Sequence, residues 1–235
     1  MNNNEAKKIL DKIVGQVFGY QNPLTLEQAM QKFAFDVRLP QQVYDSTDGS
    51  STWAASTNPT RFIKMDNARN NEASASDGMY ATQPINSLQD LLEKWNAINY
   101  TTTERQIDSL NVAESDDVIK SENVFRSSGI QRSKNIIFSE DIHDSEFIVG
   151  GQRSGSNNFC IRIQDSGECS NSFEVSWSTR ITNCMFIHDA ADMQDSMFCT
   201  NIKGKRFCIA NMQFEEAEYL RLRQQVVQWI LSPGS

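Results

Sequence analysis

Between about residue 118 and residue 210 the chain loses every trace of helical period, and short apolar triplets alternate with Ser, Asn, Asp and Gly. The phenylalanines mark the register. Phe138, Phe159, Phe186 and Phe207 are spaced 21, 27 and 21 residues apart, and Phe125, Phe147, Phe173 and Phe198 are spaced 22, 26 and 25. Ile142-His143-Asp144, Ile163-Gln164-Asp165 and Ile187-His188-Asp189 recur at 21 and 24. Polar pairs precede the strands, as in Asp144-Ser145, Asn157-Asn158, Asn171-Ser172 and Asp195-Ser196. Such residues make bends, and stacked Asn or Ser can bond along a ladder. Repeats of this length indicate a stacked array in which each unit buries the face its neighbour cannot bury alone. The expectation is a short parallel β-helix of about four coils, two strands per coil, spaced about 4.8 Å apart. One Phe or small apolar residue from each strand would point into a narrow core. A propeller needs blades of about 40 residues, and an immunoglobulin-like sandwich needs longer alternating strands.

Around this β-solenoid, placed at 118–211, the fold class is α+β. Residues 1–44 read as a helical segment. Ala6, Ile9, Leu10, Ile13, Val14 and Val17 share one helical face, and Thr25-Leu26-Glu27-Gln28 is a capping box for a second helix ending before Pro40. Residues 45–117 read as a loop-rich arm with a short strand at Arg61–Met65 and one helix at about 87–99. Ser87 caps that helix, and Leu88, Leu91, Leu92, Trp95 and Ile98 form its stripe. Residues 212–231 form a C-terminal helix. A stack has two open strand edges. The C-terminal helix is expected to cap one end and the 87–99 helix the other.

Composition removes several functions. The net charge of −8 and pI near 4.9 make nucleic acid an unlikely partner, since phosphate contacts need clustered Lys and Arg. No apolar run reaches the roughly 20 residues of a membrane span, and Met1–Glu5 lacks the order of a signal peptide. The five cysteines, Cys160, Cys169, Cys184, Cys199 and Cys208, are spaced 9, 15, 15 and 9, which provides no Cys-x-x-Cys zinc pair. They read as reduced, buried small hydrophobes. No metal or other cofactor is expected.

The only histidines, His143 and His188, fall on the Ile-x-Asp repeat with Gln164 between. Read as one ladder, they stand about two coil rises apart, too far to chelate one ion. The candidate binding feature is then a polar stripe of His143, Gln164 and His188 flanked by Asp144, Asp165 and Asp189. It would suit a sugar or a partner chain; equally, Asp after a strand is a turn former. Gly150-Gly151-Gln152-Arg153-Ser154-Gly155 lacks the Gly-Lys-Ser/Thr ending of a phosphate-binding loop. Trp53, Met79 and Tyr80 are candidate contact residues in loops. No catalytic constellation emerges.

The stretch from Phe207-Cys208-Ile209-Ala210-Asn211 to Glu218-Tyr219 resembles the ending of a family of uncharacterised bacterial proteins. Their Cys- and Asn-rich repeats close in an aromatic-Cys-Ile-x-Asn segment, then Glu-Tyr at a helix start. Ser170-Asn171-Ser172-Phe173 and Asp195-Ser196-Met197-Phe198-Cys199 are similar in style, though this chain has fewer cysteines and none of the N-terminal Cys pairs. The resemblance covers at most 115–225 and implies a β-solenoid repeat fold without a mechanism. The functional expectation is a non-catalytic structural or interaction protein that binds other protein subunits. It would be a component of a larger assembly such as a viral particle or shell, cytoplasmic or in a virion. The alternative is a carbohydrate-binding or carbohydrate-cleaving β-helix.

Overall fold

The computed structural model describes residues 1–57, 61–71 and 81–232. Backbone pairing joins each solenoid residue to the one twelve positions on: Lys134 with Glu146, Ile136 with Ile148, Ile142 with Ser154. A coil is therefore twelve residues carrying two short parallel strands, and the solenoid makes about nine turns rather than about four. The paired coils begin at Gln106–Ile107 and Leu110–Ala113. The sequence spacings of 21 to 27 span roughly two coils each.

The backbone obeys a still shorter rule. From Asp108 to Ala210 every third residue has a left-handed φ, between about 40° and 70°. The residue after each of these faces the inside of the tube. The inward set alternates small with large: Ser115, Val118, Ser121, Val124, Ser127, Ile130, Ser133, Ile136, Ser139, Ile142, Ser145, Ile148. The serines sit where the strands bend. Each ladder Ser accepts a backbone N–H from the coil above and donates to the carbonyl two residues before itself. Thus Ser139 Oγ takes the Gly151 N–H at 3.0 Å and donates to the Ile137 carbonyl at 2.9 Å. Ser127, Ser133 and Ser145 repeat the arrangement. Backbone groups left over at the bends are thereby satisfied inside the tube.

Gly151, Ser154, Asn157 and Cys160 interrupt the alternation, after which it resumes three residues out of phase. Large residues now stand at Ile163, Val175, Ile181, Ile187 and Met193, and small ones at Ser166, Ser172, Ser178, Cys184 and Ser196. The wide diagonal of the core has turned by a quarter coil. This shift is why Ile142 and Ile163 are 21 residues apart while Ile163 and Ile187 are 24 apart.

The phenylalanines do not fill the tube, contrary to the expectation from their spacing. Phe138 and Phe186 belong to one outer column, Phe159 and Phe207 to another, and Phe125 and Phe173 to a third. Together with Ile137, Val149, Ile161, Met185 and Met197 they make an apolar outer flank. A flank of large rings is stable only when something covers it, and the N- and C-terminal helices do so. α1 (Asn3–Phe18), held at its start by the Asn2–Glu5 capping box, buries Ala6, Leu10, Ile13, Val14, Val17 and Phe18 against it. α2 (Leu26–Phe33) carries the expected Thr25–Gln28 box. It approaches so closely that a Cβ at Gly150 would stand 2.0 Å from the Phe33 carbonyl oxygen. The largely covered Arg162 guanidinium, paired with Glu174 of the next coil, ties the following loop down through Asp36 at 2.8 Å.

α3 (Met65–Asn71) follows the short strand Arg61–Lys64, which pairs in parallel with Tyr100–Thr103. Gln41–Tyr44, at the end of the segment read as helical, and Ser51–Ala54, in the arm read as loops, form an antiparallel hairpin. Asp45 braces this unit: burial alone would raise its carboxyl, but bonds from Thr47, the Lys64 N–H and Asn67 lower it to about 2. Asp116 fastens the unit to the first coils by accepting from the Ala55 N–H at 3.0 Å and from the Arg105 backbone and guanidinium. α4 (Leu88–Ile98) buries no residue, so it does not serve as the expected end cap. α5 (Glu216–Leu231) joins the flank through Tyr219 beside Phe207, Trp229 beside Phe186 and Arg223 on the Val17 carbonyl. Among the described residues no helix is long and apolar enough to cross a membrane.

Candidate functional site

With twelve residues per coil, the six stripe residues fall on four columns instead of two. His143 follows Ile119 and Gln131 on a column continued by Gly155, Gly167 and Thr179, and its ring lies over Gly155. Gln164 and His188 share a column with Ser176 between them. Asp165 and Asp189 stand two coils apart with Trp177 between them. Asp144 lies on a neighbouring column, bound in bidentate fashion by Arg132 at 2.7 Å. The fold thus brings Gln164, Asp165, His188 and Asp189 together and leaves His143 and Asp144 apart from them.

The carboxylates pair along the stack. Arg132 with Asp144, Arg153 with Asp165 and Arg180 with Asp192 are each twelve residues apart. The bond from Arg132 lowers the Asp144 carboxyl, and that from Arg180 lowers Asp192. Arg153 and then Trp177 hold Asp165 at about 2. Such carboxylates stay ionised and hydrogen-bonded at neutral pH, which suits binding and opposes a role as general acid.

Trp177 is the residue that sequence spacing did not single out. It occupies a left-handed position with φ of 49°. That conformation is unfavourable for a bulky side chain. Its residue is 60% exposed, a quarter to half a coil away from the columns of the helix-covered flank. The indole N–H donates to Asp165 at 2.9 Å, and Arg153 grips the same carboxylate at 2.8 and 2.7 Å. The His188 ring lies 5.5 Å away, with its Nδ1 2.9 Å from Ser176 Oγ. Beside the indole runs an open groove. Asp165, Trp177, Asp189 and Asn201 form one wall, small residues at Gly167, Thr179 and Ala191 form the floor, and Lys203 stands at one end. The usable signal was the twelve-residue alignment of Asp165, Trp177, Asp189 and Asn201, which requires the coil length first.

The five thiols are buried inside the tube at ladder positions, and burial pushes Cys169 up to about 11 and Cys184 to about 12. Among the described residues no group of three or more His, Cys, Asp or Glu converges as a metal site. Met79 and Tyr80 lie outside the described residues, and Trp53 packs under the Arg126 guanidinium, 5.3 Å from ring centre to Cζ.

The second exposed feature is α4. Leu88, Leu91, Leu92, Trp95 and Ile98 are 45% to 70% exposed, and Ile107 and Leu110 of the first coil are exposed as well. No family model and no curated protein matches this chain.

Proposed function

We propose that the protein is a non-catalytic interaction scaffold that takes its place in a larger protein assembly, such as a shell or viral particle. The observation that carries this reading is the apolar stripe of α4. Its five large side chains lie on one helical face, and the exposed Ile107 and Leu110 follow a short way along the chain. An apolar surface of this extent is costly in water and marks a contact site. The solenoid supplies a rigid body for such a contact, because its interior hydrogen bonds repeat through every coil. Paired carboxylates and sheltered thiols fit a structural part better than an enzyme.

Light scattering on the full chain tests the reading. The expected mass exceeds the 26.7 kDa of one chain. Leu92→Asp with Trp95→Asp is expected to return the protein to a monomer with an unaltered circular dichroism spectrum. A strictly monomeric parent that also co-purifies with nothing from its native host would overturn the reading.

A further inference from the structure

We infer that the groove beside Trp177 binds an uncharged oligosaccharide laid along the stack of coils. The six other described aromatic residues at left-handed positions all lie against another aromatic ring of the flank or its covering helix. Phe138 packs on Phe125, Phe147 on Phe159, Phe186 on Phe198, and Phe207 on Tyr219. Trp177 is strained in the same way, yet it projects from the bare side of the solenoid.

The ring is also fixed in place. The Arg153–Asp165 pair holds the indole N–H, and the neighbouring His188 ring restricts its swing. A flat apolar face that is already immobilised loses little entropy on stacking against the C–H face of a pyranose. Hydroxyl partners stand next to it. Asp189 and Lys203 make no side-chain hydrogen bond among the described residues, and the Asn201 amide reaches only its neighbour Thr200, at 3.2 Å. Asp165, Trp177, Asp189 and Asn201 follow one another at successive coils, about 4.8 Å apart. That interval is about the length of one sugar residue, so an extended chain meets a fresh group at each coil. Asp165 is neutralised by Arg153, and Asp189 and Lys203 carry opposite charges, so the groove has little net charge and suits an uncharged ligand. The inference is independent of the assembly reading, since the groove and α4 share no residue.

Isothermal titration calorimetry of the full chain with cellohexaose, chitohexaose, maltohexaose and a heparin hexasaccharide tests it. At least one neutral hexasaccharide is expected to bind saturably, and the heparin fragment more weakly. Trp177→Asn and Asp189→Gly, both of which suit the left-handed backbone, are each expected to weaken binding about tenfold or more, with unchanged melting temperature. Trp177→Phe is expected to keep a measurable part of the affinity. The inference fails if none of the neutral sugars binds, if heparin binds best, or if Trp177→Asn binds as well as the parent.

Discussion

At the scale of single residues, the serine hydroxyls inside the tube decide whether coils can close. Ser139 is fully buried and makes two hydrogen bonds, so Ser139→Ala leaves the Gly151 N–H without its partner. The expected loss is about 1–3 kcal/mol in urea unfolding. The cysteines explain themselves by the same rule. Their spacings of 9 and 15 are multiples of three, so all five fall on the inward register. Cys184 Sγ reaches the Thr182 carbonyl at 3.2 Å, as a ladder serine does. Ser139→Cys should therefore cost less than Ser139→Ala, and an equal cost would show that the hydroxyl ladder is not what closes the bend. The thiols also predict chemistry. With burial raising Cys160, Cys169 and Cys184, Ellman's reagent at pH 8 should leave these three unmodified in the native protein and react with them in denaturant. This register was hidden from a hydropathy reading because every second inward position from Ser115 to Ile148 is Ser, which looks like surface. The most visible residues, the phenylalanines, are outside the tube.

At the scale of elements, the helices that carry clear caps and one apolar face were legible: Asn3–Phe18 and Leu26–Phe33 form where the periodicity places them. What they rest on was not legible. A flank assembled from residues twelve apart shows no local pattern, because Ile137, Val149 and Ile161 become neighbours only once the coil length is known. The Leu88–Ile98 stripe looked like a buried face for the same reason that α1 does, since amphipathicity reports that a face wants a partner and not where the partner is. The seam between α2 and the solenoid gives a direct test. Gly150 has φ of 66° and no room for a Cβ beside the Phe33 carbonyl. Gly150→Ala is expected to cost about 1–3 kcal/mol or more. It should also open Asn22 to Pro40 to limited proteolysis while the coils keep their far-ultraviolet signal. A variant as protease-resistant as the parent would mean that α2 does not dock there.

At the scale of the whole molecule, one side of the solenoid is closed by helices and the other is laced by ion pairs between coils. The candidate stripe was partly legible for this reason. Gln164, Asp165, His188 and Asp189 lie beyond the quarter-coil shift and keep the 24-residue interval of two coils, whereas His143 and Asp144 precede it and land elsewhere. The ion pairs themselves set a pH limit. Asp165 and Asp45 both ionise near 2 in the folded chain, below the ordinary 3.8. A carboxylate whose folded value is depressed stabilises the fold above its unfolded value, and that contribution fades as pH falls through the folded value. Stability should therefore be level above about pH 5 and decline between about pH 4 and pH 2. Because Arg132, Arg153 and Arg180 each bridge adjacent coils at the surface, added salt should lower the melting temperature slightly at pH 7. Arg153→Gln should flatten part of the acid decline, since Asp165 then loses the bond that most depresses it. A melting profile of that variant with the same acid slope as the parent would place the pH dependence in the other depressed carboxylates, Asp45, Asp144 and Asp192.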